Sequence, residues 1–408
     1  MGLNQTPAAN RLHISFIGRR NAGKSSLMNA ITNQSIAIVS DTKGTTTDPV
    51  YKSMELLPLG PVLFIDTPGI DDEGELGELR IKKTRQALNK SDIILFVIDA
   101  TEGITICDEE WISYIEQRNI PYLLIYNKTD LNKNSDSGNT QLETDNNSVL
   151  FASAINSEGI VEIKERLASL SSSLEQPIPL VSDLIQPSDL VVLVIPIDES
   201  APKGRLILPQ QQAIRDILET GAISIVTKDT ELKETLNKLG HSPDLVITDS
   251  QAFKQVAAIT PEEIPMTSFS ILMARQKGFL TTAVESVTAL DTLNSNDTIL
   301  IAEGCTHHRQ CNDIGTVKLP DWIRKYTGAD PHFEYCSGTE FPDDLSSYKM
   351  IIHCGGCMLN NKEILYRMRQ AISQNVPFTN YGTCIAYING ILKRSLCLFP
   401  DLYQHIKH

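Results

Sequence analysis

A buried strand that runs straight into a glycine-bounded, lysine-bearing loop and then a helix leaves a chain few folds to choose from. Leu12 to Ile17 reads as such a strand, followed by Gly18-Arg19-Arg20-Asn21-Ala22-Gly23-Lys24-Ser25-Ser26 and a helix through Leu27, Met28 and Ile31. In this context the loop is a phosphate-binding P-loop. Gly18 and Gly23 let backbone N–H groups wrap phosphate oxygens, Lys24 reaches the β- and γ-phosphates, and the Ser25 hydroxyl serves Mg2+. The helix dipole adds positive potential where the phosphates end. A parallel α/β sheet is the fold that puts a strand and a helix in this order.

Three further groups stand where a nucleotide site needs them. The strand Val62 to Ile65 ends in Asp66-Thr67-Pro68-Gly69, whose carboxylate can hold Mg2+ through water and whose Gly69 amide can sense a γ-phosphate. Between it and the P-loop, the polar run Gly44-Thr45-Thr46-Thr47-Asp48 offers a hydroxyl, Thr46, that can close on the metal. After the strand Tyr122 to Tyr126 comes Asn127-Lys128-Thr129-Asp130, and Asp130 can accept from both the ring N–H and the amino group of guanine, a pair that adenine lacks. Ser153-Ala154, after the strand Val149 to Ala152, stands at a second base contact. The expected nucleotide residues are Gly18, Asn21, Ala22, Gly23, Lys24, Ser25, Ser26, Asp66, Gly69, Asn127, Lys128, Asp130, Ser153 and Ala154, with Ser25, Thr46 and Asp66 around Mg2+.

In this order the motifs resemble small GTPases of the TrmE and Era type, over roughly Leu12 to Leu170. Ile70 stands where Ras-like enzymes carry a water-orienting glutamine, and an apolar side chain cannot orient water. The resemblance implies that Asn21 holds a K+ ion in the role of an arginine finger; as a residue by itself, Asn21 equally suits a turn. Lys24, Asn21, Thr46 and Gly69 are thus the expected catalytic group, acting on GTP.

A second cluster lies far downstream. His353-Cys354-Gly355-Gly356-Cys357 follows the apolar run Met350-Ile351-Ile352, and Cys305-Thr306-His307 follows Ile299-Leu300-Ile301-Ala302. Both groups therefore end predicted strands, the side of an open parallel sheet on which ligands bind. Two thiolates separated by glycines can meet one metal while amide N–H groups turn inward. The spacing leaves structural zinc, a dithiol redox pair, an iron-sulfur cluster and ordinary buried thiols all open. Cys311 and Cys384 are near enough in sequence to serve as spare ligands, while Cys107, Cys336 and Cys397 read as core thiols.

Composition narrows the partners. With 36 basic and 50 acidic residues the net charge is -14, which argues against a nucleic-acid backbone or an anionic membrane as the main partner. No apolar run is long enough to span a bilayer. Eight cysteines without a secretory leader predict a reducing, cytoplasmic setting. The polar stretch Leu131 to Ser148 reads as a solvated excursion without chemistry.

The run Ser171-Ser172-Ser173-Leu174-Glu175-Gln176-Pro177-Ile178-Pro179 has linker composition. Beyond it, strands at Leu190 to Ile195, Ala222 to Val226 and Leu245 to Thr248 alternate with helices at Gln210 to Leu218 and Leu232 to Leu239, which predicts a second α/β layer. It shows no phosphate loop and no cluster of ligands, so it reads as a self-association module. Helices at Ser270 to Arg275, Gln276 to Leu290, near Asp321 and at Lys362 to Ser373 follow, with a strand from Val376 to Thr379 ending in a turn at Asn380-Tyr381-Gly382. The expectation is a three-domain α/β chain: a P-loop GTPase domain at residues 10–174, a small α/β dimerisation domain at 183–266 and a C-terminal α/β iron-sulfur domain at 267–408.

A GTPase domain, a small α/β domain and a C-terminal Cys-X-His with His-Cys-X-X-Cys resemble one family along nearly the whole chain: HydF, the GTPase of [FeFe]-hydrogenase maturation. The resemblance implies a homodimer held by the middle domain and a 4Fe-4S cluster on Cys305, Cys354 and Cys357, with His307 or His353 as an exchangeable fourth ligand. It further implies a scaffold or carrier of the diiron precursor, with the apo-hydrogenase and the radical-SAM maturases HydE and HydG as partners. The alternative from the residues alone is a zinc-binding regulatory GTPase acting on a protein or RNA partner.

Overall fold

The structure, a computed structural model, describes residues 6–33, 48–71, 74–131, 148–174, 178–197, 206–304, 313–338 and 340–405. The chain divides into two compact units, Met1–Gln176 and Pro177–His408.

The first unit runs β1 (Leu12–Ile17), α1 (Lys24–Thr32), β2 (Val50–Leu56), β3 (Gly60–Asp66), α2 (Glu75–Leu88), β4 (Ile93–Asp99), α3 (Ile106–Glu116), β5 (Tyr122–Asn127), β6 (Val149–Phe151) and α4 (Ile160–Ser173). Its six strands lie in the order β2-β3-β1-β4-β5-β6. All neighbours are parallel except β2 and β3. Strand β4, Ile-Ile-Leu-Phe-Val-Ile-Asp, is buried along its whole length because helices cover both faces of a parallel sheet. Strand β2 lies at the edge and alternates exposed with half-buried positions.

The second unit carries two four-stranded sheets. The first is built from β7 (Leu190–Val194), α5 (Leu208–Thr220), β8 (Ile223–Thr227), α6 (Leu232–Lys238), β9 (Leu245–Thr248), α7 (Phe253–Ile259), β10 (Met266–Ser268) and α8 (Phe269–Gln276), in the strand order β10-β9-β7-β8. The second follows α9 (Leu280–Ser286) and takes in β11 (Thr298–Glu303), α10 (Leu319–Thr327), β12 (His332–Ser337), β13 (Met350–His353), α11 (Asn361–Ser373), β14 (Phe378–Asn380), α12 (Tyr381–Ile388) and α13 (Leu392–Ser395), in the order β12-β11-β13-β14. Both sheets are wholly parallel.

One hydrophobic core spans both sheets, joining Val192, Val246, Phe253 and Met266 to Phe279, Ile299, Ile351 and Phe378, while a second gathers Val191, Leu193, Leu245, Ile247 and Leu272. Strand β10 crosses residue 266, the expected end of the middle domain, and pairs with β9. Two expectations are corrected. The helix expected from Gln276 begins at Leu280, because Gly278 takes a left-handed φ of 82° and ends the preceding element; a 3-10 helix, Val287–Thr292, completes the segment. The expected turn at Tyr381 is the start of α12, capped by Asn380 accepting from Thr383 N. No helix among the described residues is long and apolar enough to cross a membrane.

Candidate functional site

The P-loop lies between β1 and α1, close under β4. A Cβ on Gly18 would sit 2.1 Å from Val97 O, so nothing larger than glycine fits there. Gly23 takes φ 90°, and its Cβ would meet Asn127 Nδ2 at 2.2 Å. Lys24 is buried and donates to Gly18 O at 2.8 Å and Arg19 O at 2.7 Å. Asn21 is exposed at φ 58°, the left-handed conformation that asparagine tolerates in turns.

Ser25 Oγ donates to Asp66 Oδ2 at 2.5 Å, which brings together two of the three expected Mg2+ ligands. Burial holds the Asp66 carboxyl above the ordinary carboxylate range, against the Ser25 hydrogen bond and the charge of Lys24. Asp66 Oδ1 is buried without a hydrogen-bond partner among the described residues, which fits a carboxylate meant for a metal or its water. Gly69 packs against the P-loop, where a Cβ would lie 3.0 Å from Arg20 N. Thr46, the third expected ligand, lies outside the described residues.

The base-recognition residues converge at the ends of β5 and β6. Ser153 Oγ donates to Asp130 Oδ1 at 2.6 Å, so the hydroxyl orients the carboxylate expected to read guanine. Asn127 Nδ2 donates to Ala22 O at 3.0 Å, and its Oδ1 accepts from Ala154 N at 3.1 Å. Lys128 pairs with Asp99 at 2.7 Å, a carboxylate at the end of β4 that the motifs do not name. Two other supports also escape motif reading. Asp71 accepts from Arg20 N at 2.7 Å, and Arg19 is clamped by Asp108, Glu102 and Gly103 O at the start of α3.

The cysteine loop leaves β13 beside the end of β11. Cys354 N donates to Ala302 O at 2.8 Å, continuing the strand pairing by one residue. Cys354 Sγ then accepts from Gly304 N at 3.0 Å and Gly356 N at 3.3 Å. Gly356 is held at φ 66°, and its Cβ would fall 2.1 Å from Ile364 Cδ1. Burial pushes the Cys354 thiol up while the two amides pull it down. Cys357 is pushed up to about 12 by burial and then by Cys354, with Lys277 opposing. Buried sulfurs with inward amides are compatible with a soft metal, which can displace the thiol proton that burial otherwise retains. Cys305 and His307, the other half of the expected site, and Cys311, a spare ligand, lie outside the described residues. Among the described residues no three His, Cys, Asp or Glu gather as a metal site.

His353, expected as a possible fourth ligand, has both ring nitrogens in hydrogen bonds within the protein. It is fully buried, and its Nε2 meets Arg367 Nη1 at 3.2 Å. Arginine can only donate, so Nε2 accepts and the ring proton sits on Nδ1, which donates to Cys354 O at 2.8 Å. Both ring nitrogens are therefore engaged within the protein. Burial, then the nearby Arg367 charge, lowers its pKa to about 3. Arg367 is itself sealed, paired to Glu363 Oε1 through Nε at 3.0 Å and Nη2 at 2.9 Å. Cys384 is fully buried on α12, whereas Cys336 on β12 is pushed up to about 11 by burial, with the Arg367 charge opposing.

Comparison with known proteins agrees with this division. Residues 13–128 match a family model described as 50S ribosome-binding GTPase, so the chain carries a GTPase domain. Over 137 residues it is 35% identical to GTPase Der of Nitratiruptor sp., covering 33% of this chain and 29% of that protein. Over 120 residues it is 39% identical to the tRNA modification GTPase MnmE of Desulforamulus reducens, covering 29% of this chain and 25% of that protein. The chain thus spans under a third of either relative. A solved structure of an Aquifex aeolicus Era variant with GDP and aluminium fluoride aligns at 20% identity and a TM-score of 0.35, over 60% of this chain and 97% of that one. Residues 180–278 match the hydrogen maturase F dimerization domain. Residues 281–398 match its tetramerization domain, an assembly role that the sequence reading did not foresee for the cysteine-bearing segment. With both of these models matched in order behind a GTPase domain, the chain belongs to the hydrogen maturase F family.

Proposed function

We propose that this chain is a GTP-hydrolysing scaffold that carries a 4Fe-4S cluster and assembles or delivers the diiron precursor of the [FeFe]-hydrogenase active site. The observation that carries the cluster reading is Cys354 Sγ receiving the amides of Gly304 and Gly356, one of them adjacent to Cys305 in sequence. Cys305, Cys354 and Cys357 would hold the cluster, which supplies an iron able to exchange its remaining ligand. His307 is the histidine left for that corner; His353 instead orients the Cys354 carbonyl and receives Arg367.

In the nucleotide site, Lys24 meets the β- and γ-phosphates, Asp130 oriented by Ser153 selects guanine, and the Gly69 amide reports the γ-phosphate. Ser25, Thr46 and Asp66 would hold Mg2+, which neutralises phosphate charge. Asn21 would hold K+ in the role of an arginine finger, adding positive charge at the phosphates of a site where Ile70 cannot orient water. The residues 10–174, 183–266 and 267–408 serve as GTPase, dimerisation and cluster segments of a cytoplasmic homodimer whose partners are the apo-hydrogenase, HydE and HydG.

Anaerobic purification tests the reading directly. The protein should be brown and contain iron and sulfide, and it should hydrolyse GTP but not ATP, faster in K+ than in Na+. A colourless protein containing zinc overturns the cluster role. Equal use of ATP overturns the assignment of Asp130, and equal rates in the two salts remove K+ from Asn21.

A further inference from the structure

The loop bearing Cys354 and Cys357 closes on itself through Leu359 N donating to Gly356 O at 3.0 Å. Its underside rests on α8, where a Cβ on Gly355 would lie 3.7 Å from Met273 Cβ and 3.8 Å from Ser270 Oγ. One helical turn after Met273 comes Lys277, whose backbone N donates to Met273 O at 2.9 Å. Lys277 is 2% exposed, and its Nζ donates to Leu359 O at 2.8 Å, two residues beyond Cys357.

A sealed ammonium needs a counter-charge, because desolvating an unpaired ion is costly. Among the described residues no carboxylate forms an ion pair with Lys277; its hydrogen-bond acceptor is the neutral carbonyl of Leu359. The other buried cation of this region, Arg367, is already matched by Glu363. Burial lowers the pKa of Lys277 to about 8, and the acidic group that opposes this and favours the ammonium is Cys357. The end of α8 adds some negative potential, since Lys277 is its C-terminal cap residue, but a helix end carries only a partial charge.

We propose that Lys277 is the built-in counter-charge of the Cys357 thiolate, holding the negative charge of the metal-bound loop in place and raising the reduction potential of the cluster it carries. This rests on the iron-sulfur reading above. A fixed positive charge beside a cluster favours the more negative, reduced form, and burial strengthens the effect by removing screening water. Lys277 would act through the sulfur without being a ligand, which makes it a positioning and tuning residue.

The test uses the full chain reconstituted anaerobically with iron and sulfide, as wild type, Lys277→Met and Lys277→Arg. Methionine keeps an unbranched side chain one atom shorter and removes its charge; arginine keeps the charge. Three quantities are measured: iron and sulfide per chain, the midpoint potential by EPR-monitored redox titration, and the rate of iron loss to a chelator. The melting temperature of each metal-free variant establishes that it folds. The expected result is a more negative midpoint and faster iron loss in Lys277→Met, with Lys277→Arg returning toward wild type in both. A methionine variant with wild-type potential and wild-type iron retention overturns the proposal, as does one that changes only the melting temperature. Failure of the wild type itself to take up iron and sulfide discards the iron-sulfur reading and this inference with it, an outcome distinct from an unmoved potential in a loaded protein.

Discussion

Asn127 Nδ2 donates to Ala22 O at 3.0 Å, so the end of β5 holds the P-loop by its backbone. The same amide accepts from Ala154 N through Oδ1, and one side chain thereby ties the phosphate loop to the base loop. Asn127→Ala leaves both buried groups without their partner, at a cost of about 1–3 kcal/mol. Affinity for GDP and GTP should fall about tenfold to a hundredfold together, read by titration with a fluorescent nucleotide. A change of less than about twofold would mean that the link is not energetic.

The cysteine loop and its histidine should separate in a metal assay. Cys354→Ser and Cys357→Ser should each lose the iron. His353→Ala should keep most of it, yet lower the melting temperature, since Arg367 Nη1 loses its buried acceptor. Pulsed EPR of the reduced protein should show any nitrogen coupling unchanged in His353→Ala. Its disappearance in that variant would restore His353 as a ligand.

Strand β8 lies at one edge of its sheet, with Ile223 52% and Val226 48% exposed. Ile223 N points inward to Asp189 O, so by strand alternation the N–H groups of Ser224 and Val226 face away from β7. Such an edge is a template for a second copy. Val226→Pro removes one outward donor and leaves the β7 ladder intact, and it should shift the protein toward monomer in light scattering at fixed concentration. An unchanged mass would place the dimer contact elsewhere.

Alkaline stability follows from Tyr122, which donates to Glu116 Oε1 at 2.6 Å. Burial, followed by this carboxylate, pushes its phenol up to about 12. The unfolded chain loses that proton near the ordinary value of about 10. Stability contributed by the folded phenol is therefore present below pH ~10 and is lost as pH rises toward ~12. Melting temperatures across this window should fall less steeply in Tyr122→Phe than in wild type.

The nucleotide site was legible because its motifs are statements about backbone room and strand ends. Gly18 admits no side chain under Val97, and Asn127 and Asp130 must follow a strand to face the loop. Edge strands were harder. Val50–Leu56 and His332–Ser337 mix charged and apolar residues because one side of each faces solvent or a helix margin, and no apolar run announces them. The surroundings of His353 were hidden for a different reason. Beside Cys354 it has the spacing of a ligand, and only the fold brings Arg367, from the next helix, onto its second nitrogen. The hydrogen bond of Lys277 to Leu359 in the cysteine loop spans 82 residues of sequence and likewise has no local signature.

The core shared by the two sheets of the second unit bears on how the protein can be taken apart. Excising residues 183–266 to test for self-association would strip Val192, Val246, Phe253 and Met266 from a core that also contains Ile299, Ile351 and Phe378. The remnant would be a misfolded chain, and its failure to dimerise would say nothing about where dimers form. Genetic dissection is clean at one place, between Gln176 and Pro177. On the far side of that cut, the two matched segments share one core and form a single heritable unit, and questions about either have to be put with point substitutions.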